Sequence, residues 1–208
     1  MIVLVINCGS SSIKYQVNDM ADESVVAGGV LERVGSGEAA LTHRTPAGAT
    51  ARQVPAPDHA AGLRLILDVL VDADVGVIDS VGAIDGVGHR VVHGGEEMTG
   101  SALIDDAVIN IIERNARLAP LHNPPNLAGI RSARDALGDT PQVAVFDTAF
   151  FATLPAVAYR YAVPETWYRD HNVRRYGFHG TSHRYVTVAT AELLGRPVEQ
   201  VNLITCHL

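Results

Sequence analysis

The chain has few of the residues that mark several common functional classes. It has only two cysteines among its 208 residues, Cys8 and Cys206, which lie in apolar runs without metal-ligand spacing or a third member. We therefore predict two buried thiols in a reducing compartment, not a disulfide framework or a cysteine-ligated metal. There is no basic run and the formal charge is −7, so nothing is present to meet a phosphate backbone and nucleic acid is not expected as a partner.

Long hydrophobic runs and targeting segments are also lacking. The first apolar run is far too short to span a membrane, and no basic segment precedes it. We therefore expect a cytoplasmic protein without a membrane partner. With 47% hydrophobic and 19% charged residues, the composition is that of a well-buried globular protein. The length allows one large domain or one and a half ordinary ones.

The first segment carries a chemical signal. Apolar, mostly β-branched residues from Ile2 to Ile6 give way to small polar residues, and alternation resumes at Ile13, which predicts a hairpin. Its turn collects an amide, three hydroxyls and an ammonium group, from Asn7, Ser10, Ser11, Ser12 and Lys14. Such groups can hold a phosphate chain. No Walker pattern is present, however, and an ordinary Ser/Gly hairpin is the alternative.

The rest of the chain predicts a mixed sheet with helices on its faces. Strands are expected over 24–34, 39–43 (a short edge strand), 81–92, 142–146 and 201–206, with a loop over 46–57. Helices are expected after Asp58, after Asp105 or Asp106, from the N-cap Asn123 to about Leu137, and over 180–194 with Thr181 or Ser182 as cap. Three consecutive strands followed by alternating helices and strands indicate an α/β fold.

Polar clusters at strand ends and helix starts form the candidate site, because functional groups of open α/β sheets gather at the carboxyl ends of strands. Besides the first turn, these clusters contain His89, Arg90, His93, His122, Asp147, His179 and His183. The last two are four residues apart, so a zinc pair is an alternative, although His179 precedes the helix and no Glu lies between them. A purely structural role is the competing interpretation for Arg90, as a salt bridge, and for His93 and His183, as hydrogen-bonded side chains.

Five stretches of the sequence carry a family resemblance: Asn7–Lys14, Gly88–Gly95, Ala119–Asn126, Val145–Phe150 and Tyr176–Tyr185. In order and spacing they resemble the acetate kinases, within the superfamily of sugar kinases, heat-shock ATPases and actin. The resemblance implies reversible transfer of the γ-phosphoryl group of ATP to acetate, with Mg²⁺, giving acetyl phosphate and ADP. It also implies a homodimer and two ribonuclease-H-like domains, the actin-like ATPase fold.

The resemblance further implies roles for individual residues. Arg90 would hold the acetate carboxylate and then the moving phosphoryl group, His179 and His122 would stabilise its equatorial oxygens, and Asp147 would orient the acyl substrate or a magnesium-bound water. Val92, Leu121 and Phe178 would wall the methyl pocket, where the β-branched Val92 favours acetate over propionate. The nucleotide and phosphate contacts would be Asn7, Ser10, Ser12, Lys14 and His207, with Asn7 also at the metal.

Two departures from the family pattern limit what the resemblance implies. Phe151 and Ala152 stand where the family has His-Gln, which predicts altered packing near Asp147. Family members are also much longer. We therefore predict an N-terminal ribonuclease-H-like domain over 1–150, an incomplete nucleotide-binding domain over 151–208, and no turnover by this chain alone. The alternatives are a propionate or butyrate kinase, and a non-catalytic fragment that binds acetyl phosphate.

Overall fold

The structure, a computed structural model, describes residues 1–207 as one sheet with helices packed on it. The strands are β1 (Ile2–Cys8), β2 (Ser12–Asp19), β3 (Ser24–Glu32), β4 (Ser36–Thr45), β5 (Gly48–Ala56), β6 (Ile84–Val91), β7 (Ala102–Leu103) and β8 (Gln142–Phe146). The α-helices are α1 (His59–Leu70), α2 (Asp106–Arg114), α3 (Asn123–Leu137), α4 (Ala156–Tyr159), α5 (Glu165–His171) and α6 (Gly180–Leu193).

The sheet is mixed, as the sequence predicts, and its strands are ordered β5-β4-β3-β2-β1-β6-β8-β7. The first five strands form an antiparallel meander, whereas β6 pairs in parallel with both β1 and β8. Parallel pairing brings the carboxyl ends of β1, β6 and β8 to the same edge of the sheet. That edge therefore collects the residues that follow Ile6, His89 and Phe146.

The main core lies between one face of the sheet and helices α1 and α3. Leu4, Ile6 and Cys8 alternate along β1 towards this core and are almost fully buried. Helix α1 begins as predicted, because the Asp58 carboxylate accepts a 2.7 Å hydrogen bond from the Ala61 N–H. Its buried residues include the four predicted apolar positions, Leu63, Ile66, Leu67 and Leu70. Helix α3 ends at Gly138, whose φ of 58° suits glycine.

Close packing of α3 on β1 depends on Gly129. A Cβ at this position would overlap the Cys8 Sγ and lie 3.1 Å from the Cys8 Cβ. Burial raises the pKa of the Cys8 thiol to about 12, so this side chain is an inert packing group. Helix α3 can therefore approach the sheet only because residue 129 has no side chain.

We expect Gly129→Ala to destabilise the chain by about 1–2 kcal/mol, the overlap outweighing a helix-propensity gain of about 1 kcal/mol. Cys8→Ala removes the overlap with Sγ and leaves only the tight 3.1 Å contact with the Cβ of residue 8, so in that background Gly129→Ala should cost clearly less. Urea unfolding of the single and double variants measures both effects. Gly100→Ala, with nothing within 4 Å of its new Cβ, is the control. Equal effects of Gly129→Ala in the parent chain and in the Cys8→Ala variant would contradict the packing argument.

Four local predictions, about a loop, two strands and a thiol, are wrong. Residues 48–56, expected as part of a loop, form the edge strand β5, so β4 is longer than expected and is not at the edge. Pro55 is tolerated there because an edge strand need not use every N–H. Residues 201–207 form no strand, since no described segment pairs with them. Cys206 is accordingly exposed and not buried, and both cysteines are free.

No helix within residues 1–207 is both long and apolar enough to cross a lipid bilayer. The boundary at residue 150 stays a prediction. The sheet and α1–α3 lie before it, and α4–α6 with their connecting segments lie after it.

Candidate active site

The centre of the site is a cluster of Asn7, Arg90 and Asp147 at the carboxyl ends of β1, β6 and β8. The Arg90 Nη2 donates to the Asp147 Oδ2 at 2.6 Å, and Nε lies 3.1 Å from both carboxylate oxygens. The Arg90 Nη1 donates to the Asn7 Oδ1 at 3.3 Å. These residues are far apart in sequence, and the parallel order β1-β6-β8 is what brings them together.

This cluster pairs a buried carboxylate with a partly open guanidinium. Asp147 is 1% exposed, and 33% of the Arg90 side chain is exposed. The salt-bridge role considered for Arg90 is therefore present. It does not use the whole side chain, because a guanidinium is a fork of several N–H donors and part of this one faces solvent. The arrangement can hold one carboxylate permanently and present a fixed positive charge to a second anion.

Two buried amides of α3 hold the loop that follows Arg90. The Asn126 Nδ2 donates to the Cys8 carbonyl at 2.8 Å, and its Oδ1 accepts from the Val92 N–H at 3.0 Å, which ties β1 to β6. The Asn123 amide accepts from the His93 N–H and donates to the carbonyls of His93 and Ile112. The prediction of Asn123 as an N-cap is wrong. Its side chain is engaged with the loop, and His122 takes the cap position without a side-chain bond.

His93 has the structural role of a hydrogen-bonded, buried side chain. It is 1% exposed, its Nδ1 accepts from the Gly95 N–H at 3.0 Å, and its ring meets Tyr176 edge-on at 4.4 Å. Burial lowers the pKa of His93 to about 4, so the ring is neutral near pH 7. The loop also needs Gly95, whose φ is 65° and whose missing Cβ leaves room for the Asn115 side chain. These contacts fix the loop after Arg90 in place.

Helix α6 starts directly against Asp147. The Gly180 N–H donates to the Asp147 carbonyl at 3.0 Å, and a Cβ on Gly180 would overlap that carbonyl. The predicted caps Thr181 and Ser182 are wrong, because His179 holds the cap position with a left-handed φ of 56°. The Thr181 hydroxyl lies 3.4 Å from the Asp147 Oδ1 instead. This close approach places His179 at the same edge as Arg90 and Asp147.

His179 belongs to a group of three histidines with His183 and His207. Its ring stacks on that of His207 at 4.0 Å between centroids, with the planes 4° apart. Desolvation lowers the pKa of His179, and His207 acts in the same direction. His183 bonds the Thr205 hydroxyl through Nδ1 at 2.7 Å. Within residues 1–207 no group of three His, Cys, Asp or Glu side chains is arranged to hold a metal ion.

Other predicted site residues lie near this edge without contacting the cluster. Lys14 is the cross-strand partner of Asn7 and is exposed, as Ser10 is, whereas Ser12 is half-buried. His122 is exposed. Val92 is buried, but Leu121 and Phe178 are 72% and 44% exposed, so these three side chains do not close a pocket in the described part of the chain. Their roles stay predictions.

An ion pair joins the loop after β6 to the segment before α6. Sequence patterns do not predict this contact. The Arg174 guanidinium pairs with the Glu96 carboxylate and lies 3.6 Å from the centroid of the Tyr159 ring. The Tyr168 hydroxyl donates to Glu96 at 3.1 Å. The role of Asn126 was also not predicted, although an amide three residues after Asn123 on the buried face of a helix is a recognisable signal. Nothing local in the sequence marks the Glu96–Arg174 pair.

Comparison with known proteins decides the family. Residues 2–208 match the profile of the acetokinase family. The chain belongs to the acetokinase family. It is 50% identical over 209 residues to the acetate kinase of Caldanaerobacter subterraneus subsp. tengcongensis, covering 100% of this chain and 52% of that protein. It is 51% identical over 208 residues to the acetate kinase of Thermotoga petrophila, again covering 100% and 52%.

Two solved kinase structures have the same fold. The acetate kinase of Porphyromonas gingivalis superposes with a TM-score of 0.91 at 46% identity, over 95% of this chain and 50% of that one. The propionate kinase of Francisella tularensis subsp. tularensis gives 0.87 at 34% identity, over 94% and 49%. The actin-like α/β fold expected from the sequence is confirmed. This acetokinase chain spans about half the length of the curated relatives it matches.

Proposed function

We propose that this chain supplies the acyl-phosphate side of an acetate kinase, which transfers the γ-phosphoryl group of ATP reversibly to acetate. The observation that carries the proposal is the way in which the Arg90 side chain is held and exposed. Its guanidinium is locked by Asp147 and Asn7, yet a third of the side chain faces solvent. A fixed cation with unused donors suits a carboxylate and then the phosphoryl group made from it.

The proposed roles of the other residues follow from their positions. Asp147 orients Arg90, and in our proposal the Arg90 guanidinium orients acetate for in-line attack on the phosphoryl group. His179, at the start of α6, donates an N–H to the equatorial oxygens, and His122 assists it from the start of α3. Lys14, Ser10, Ser12 and His207 face the phosphate chain, while Val92, Leu121 and Phe178 surround the methyl group.

The described residues supply only part of a magnesium site. Mg²⁺ prefers oxygen ligands and usually combines a few protein oxygens with phosphate oxygens and water. Asn7, Ser10 and Ser12 offer such oxygens. The Asn7 Oδ1 accepts only one long 3.3 Å bond from Arg90, whereas both Asp147 carboxylate oxygens are engaged by Arg90 at 3.1 Å or less. We propose that Asn7 is the contact of this chain to the metal. The bound ion would neutralise charge on the phosphates.

The relatives are about twice as long as this chain, which is relevant to whether the chain alone can catalyse the reaction. Because the chain spans about half of them, we propose that a polypeptide of these 208 residues alone binds acetyl phosphate without catalysing its formation. We further propose that residues 151–208 begin a nucleotide-binding domain, that the whole enzyme is a homodimer, and that it is cytoplasmic, which the two free thiols favour.

Titration of the purified 208-residue chain with acetyl phosphate, followed by ³¹P NMR, tests the proposal. We expect saturable binding that weakens at least about tenfold in Arg90→Lys, because an ammonium cannot reproduce the guanidinium fork. Arg160→Lys, at an exposed ion pair with Glu165, should bind like the parent chain. Equal binding by the parent and Arg90→Lys would contradict the role of Arg90. Hydroxamate formation from Mg-ATP and acetate tests turnover in the same sample.

Propionate is the second candidate substrate, because one structural relative is a propionate kinase. Acetate is favoured, since both acetate kinases compared above are about half identical to the chain and the propionate kinase is 34% identical. Competition of propionyl phosphate with acetyl phosphate in the titration distinguishes them. A single methylene is worth only about 1–3 kcal/mol in such a pocket.

A further inference from the structure

His207 and His179 form an unusual contact, because two ionisable rings are stacked face to face. Their centroids are 4.0 Å apart and their planes are within 4° of parallel. The His207 Nδ1 lies 3.1 Å from the Ser182 hydroxyl, which ties the ring to the first turn of α6. Two residues earlier, the Thr205 hydroxyl bonds His183 on the same helix. The position of His207 is therefore set by α6, the helix that His179 caps.

The surroundings of His179 disfavour a positive charge on its ring. It lies at the N-terminal end of a 14-residue helix, where the helix dipole repels cations. Arg90, His183 and His207 act in the same direction, and Asp147 opposes them. The Asp147 carboxylate is already engaged by Arg90 at 2.6 Å, so the ion pair offsets much of its attraction. Stacking with His207 adds the cost of placing two cations face to face.

We propose that His207 is a positioning residue: it holds the His179 imidazole in a fixed plane by stacking on it, and as a second ionisable ring it disfavours the cationic form of His179. A neutral ring presents one oriented N–H donor, and its direction no longer depends on solvent or on small changes of pH. This inference rests on the proposed function only for what His179 contacts. The stack itself is a property of the free chain, so it can be tested without ligand or turnover.

The experiment is an NMR titration of histidine ring protons and nitrogens in the labelled 208-residue chain. It follows His179 in the parent, in His207→Ala and in His207→Phe. In the parent, the His179 ring protons should show a ring-current shift, and the pKa of His179 should lie below the ordinary value of histidine. In His207→Ala the ring-current shift should vanish and the pKa should rise. In His207→Phe the ring-current shift should persist, because the aromatic face is kept, and the pKa should rise at least as much as in His207→Ala, because the like charge is gone and a phenyl face attracts a cation.

Two further variants sharpen the test. Ser182→Ala removes the hydroxyl that holds His207, so it should weaken the ring-current shift and raise the pKa of His179 in the same direction as His207→Ala. His171→Ala, at an exposed histidine at the end of α5, should change neither quantity. His207 is exposed, so its replacement should leave the fold intact, and circular dichroism checks this.

The outcomes separate this inference from the proposed function. Unchanged His179 signals in His207→Ala would overturn the inference, even if acetyl phosphate binds as proposed. Loss of the ring-current shift in His207→Phe would overturn the stacking role, because an aromatic face at position 207 would then not hold the His179 ring. Loss of acetyl phosphate binding in a chain with an intact stack would instead refute the proposed function.

Discussion

Replacing Arg90 with alanine is expected to destabilise the chain by about 3 kcal/mol at pH 7. The variant leaves the Asp147 carboxylate, which is 1% exposed, without the guanidinium that neutralises it. Removing one partner of a buried ion pair typically costs about 3–5 kcal/mol, and the partial exposure of Arg90 places this pair at the lower end. Urea unfolding followed by circular dichroism measures the loss.

A second substitution should reverse most of that loss. Asp147→Asn removes the stranded charge, so Arg90→Ala/Asp147→Asn is expected to be more stable than Arg90→Ala alone. The sign of the coupling in this double-mutant cycle is the decisive quantity. Arg160→Ala, at an exposed pair of the same 2.6 Å length with Glu165, should cost less than about 1 kcal/mol. A double variant less stable than Arg90→Ala would show that stranding of the charge is not the cause.

Acidification is expected to destabilise the chain through His89. This ring, on the strand between β1 and β8, is 3% exposed, and its Nε2 bonds the Gln142 Oε1 at 2.8 Å. Burial lowers the pKa of His89 from its ordinary 6.5 to about 4. The unfolded chain therefore binds the proton first as the pH falls. The stabilisation is complete above about pH 6.5 and is lost progressively between there and about pH 4, for a total of about 3 kcal/mol.

The measurement is the free energy of unfolding at several pH values between 7 and 4. His89→Gln cannot take up a proton and should flatten the dependence over this range. His171→Gln, at an exposed position, should leave the parent slope unchanged. His93 should add a parallel dependence, because burial also lowers its pKa to about 4. Identical slopes for the parent and His89→Gln would contradict the prediction.

Much of the fold was predictable because it depends on local patterns. The alternation around the first turn predicted β1 and β2, and the Asp58 cap with its apolar spacing predicted α1. The loop prediction for β5 failed because an edge strand with Pro55 and few buried residues has no clear apolar alternation. The expected strand at 201–206 failed for the opposite reason, since apolar alternation does not make a strand without a partner.

The candidate site was predictable in its members but not in its contacts. Clusters at strand ends identified Asn7, Arg90, Asp147 and His179, since strand ends and helix starts leave recognisable sequence signals. The amide contacts of Asn123 and Asn126 with the loop after β6 were not predicted, because their partners there lie 30 or more residues away along the chain. A cap was predicted for Asn123 from its neighbours alone, and the buried loop offered better partners than the local helix end.

The sequence by itself determined the class of fold, the family resemblance and the candidate site residues, because these depend on composition, periodicity and short motifs. The tertiary structure alone decided that Arg90 faces Asp147, that Gly180 brings α6 against β8, and that His207 stacks on His179. Each of these contacts joins segments that are separate in the chain. They follow from the strand order and from close approaches at glycines, which no local pattern records.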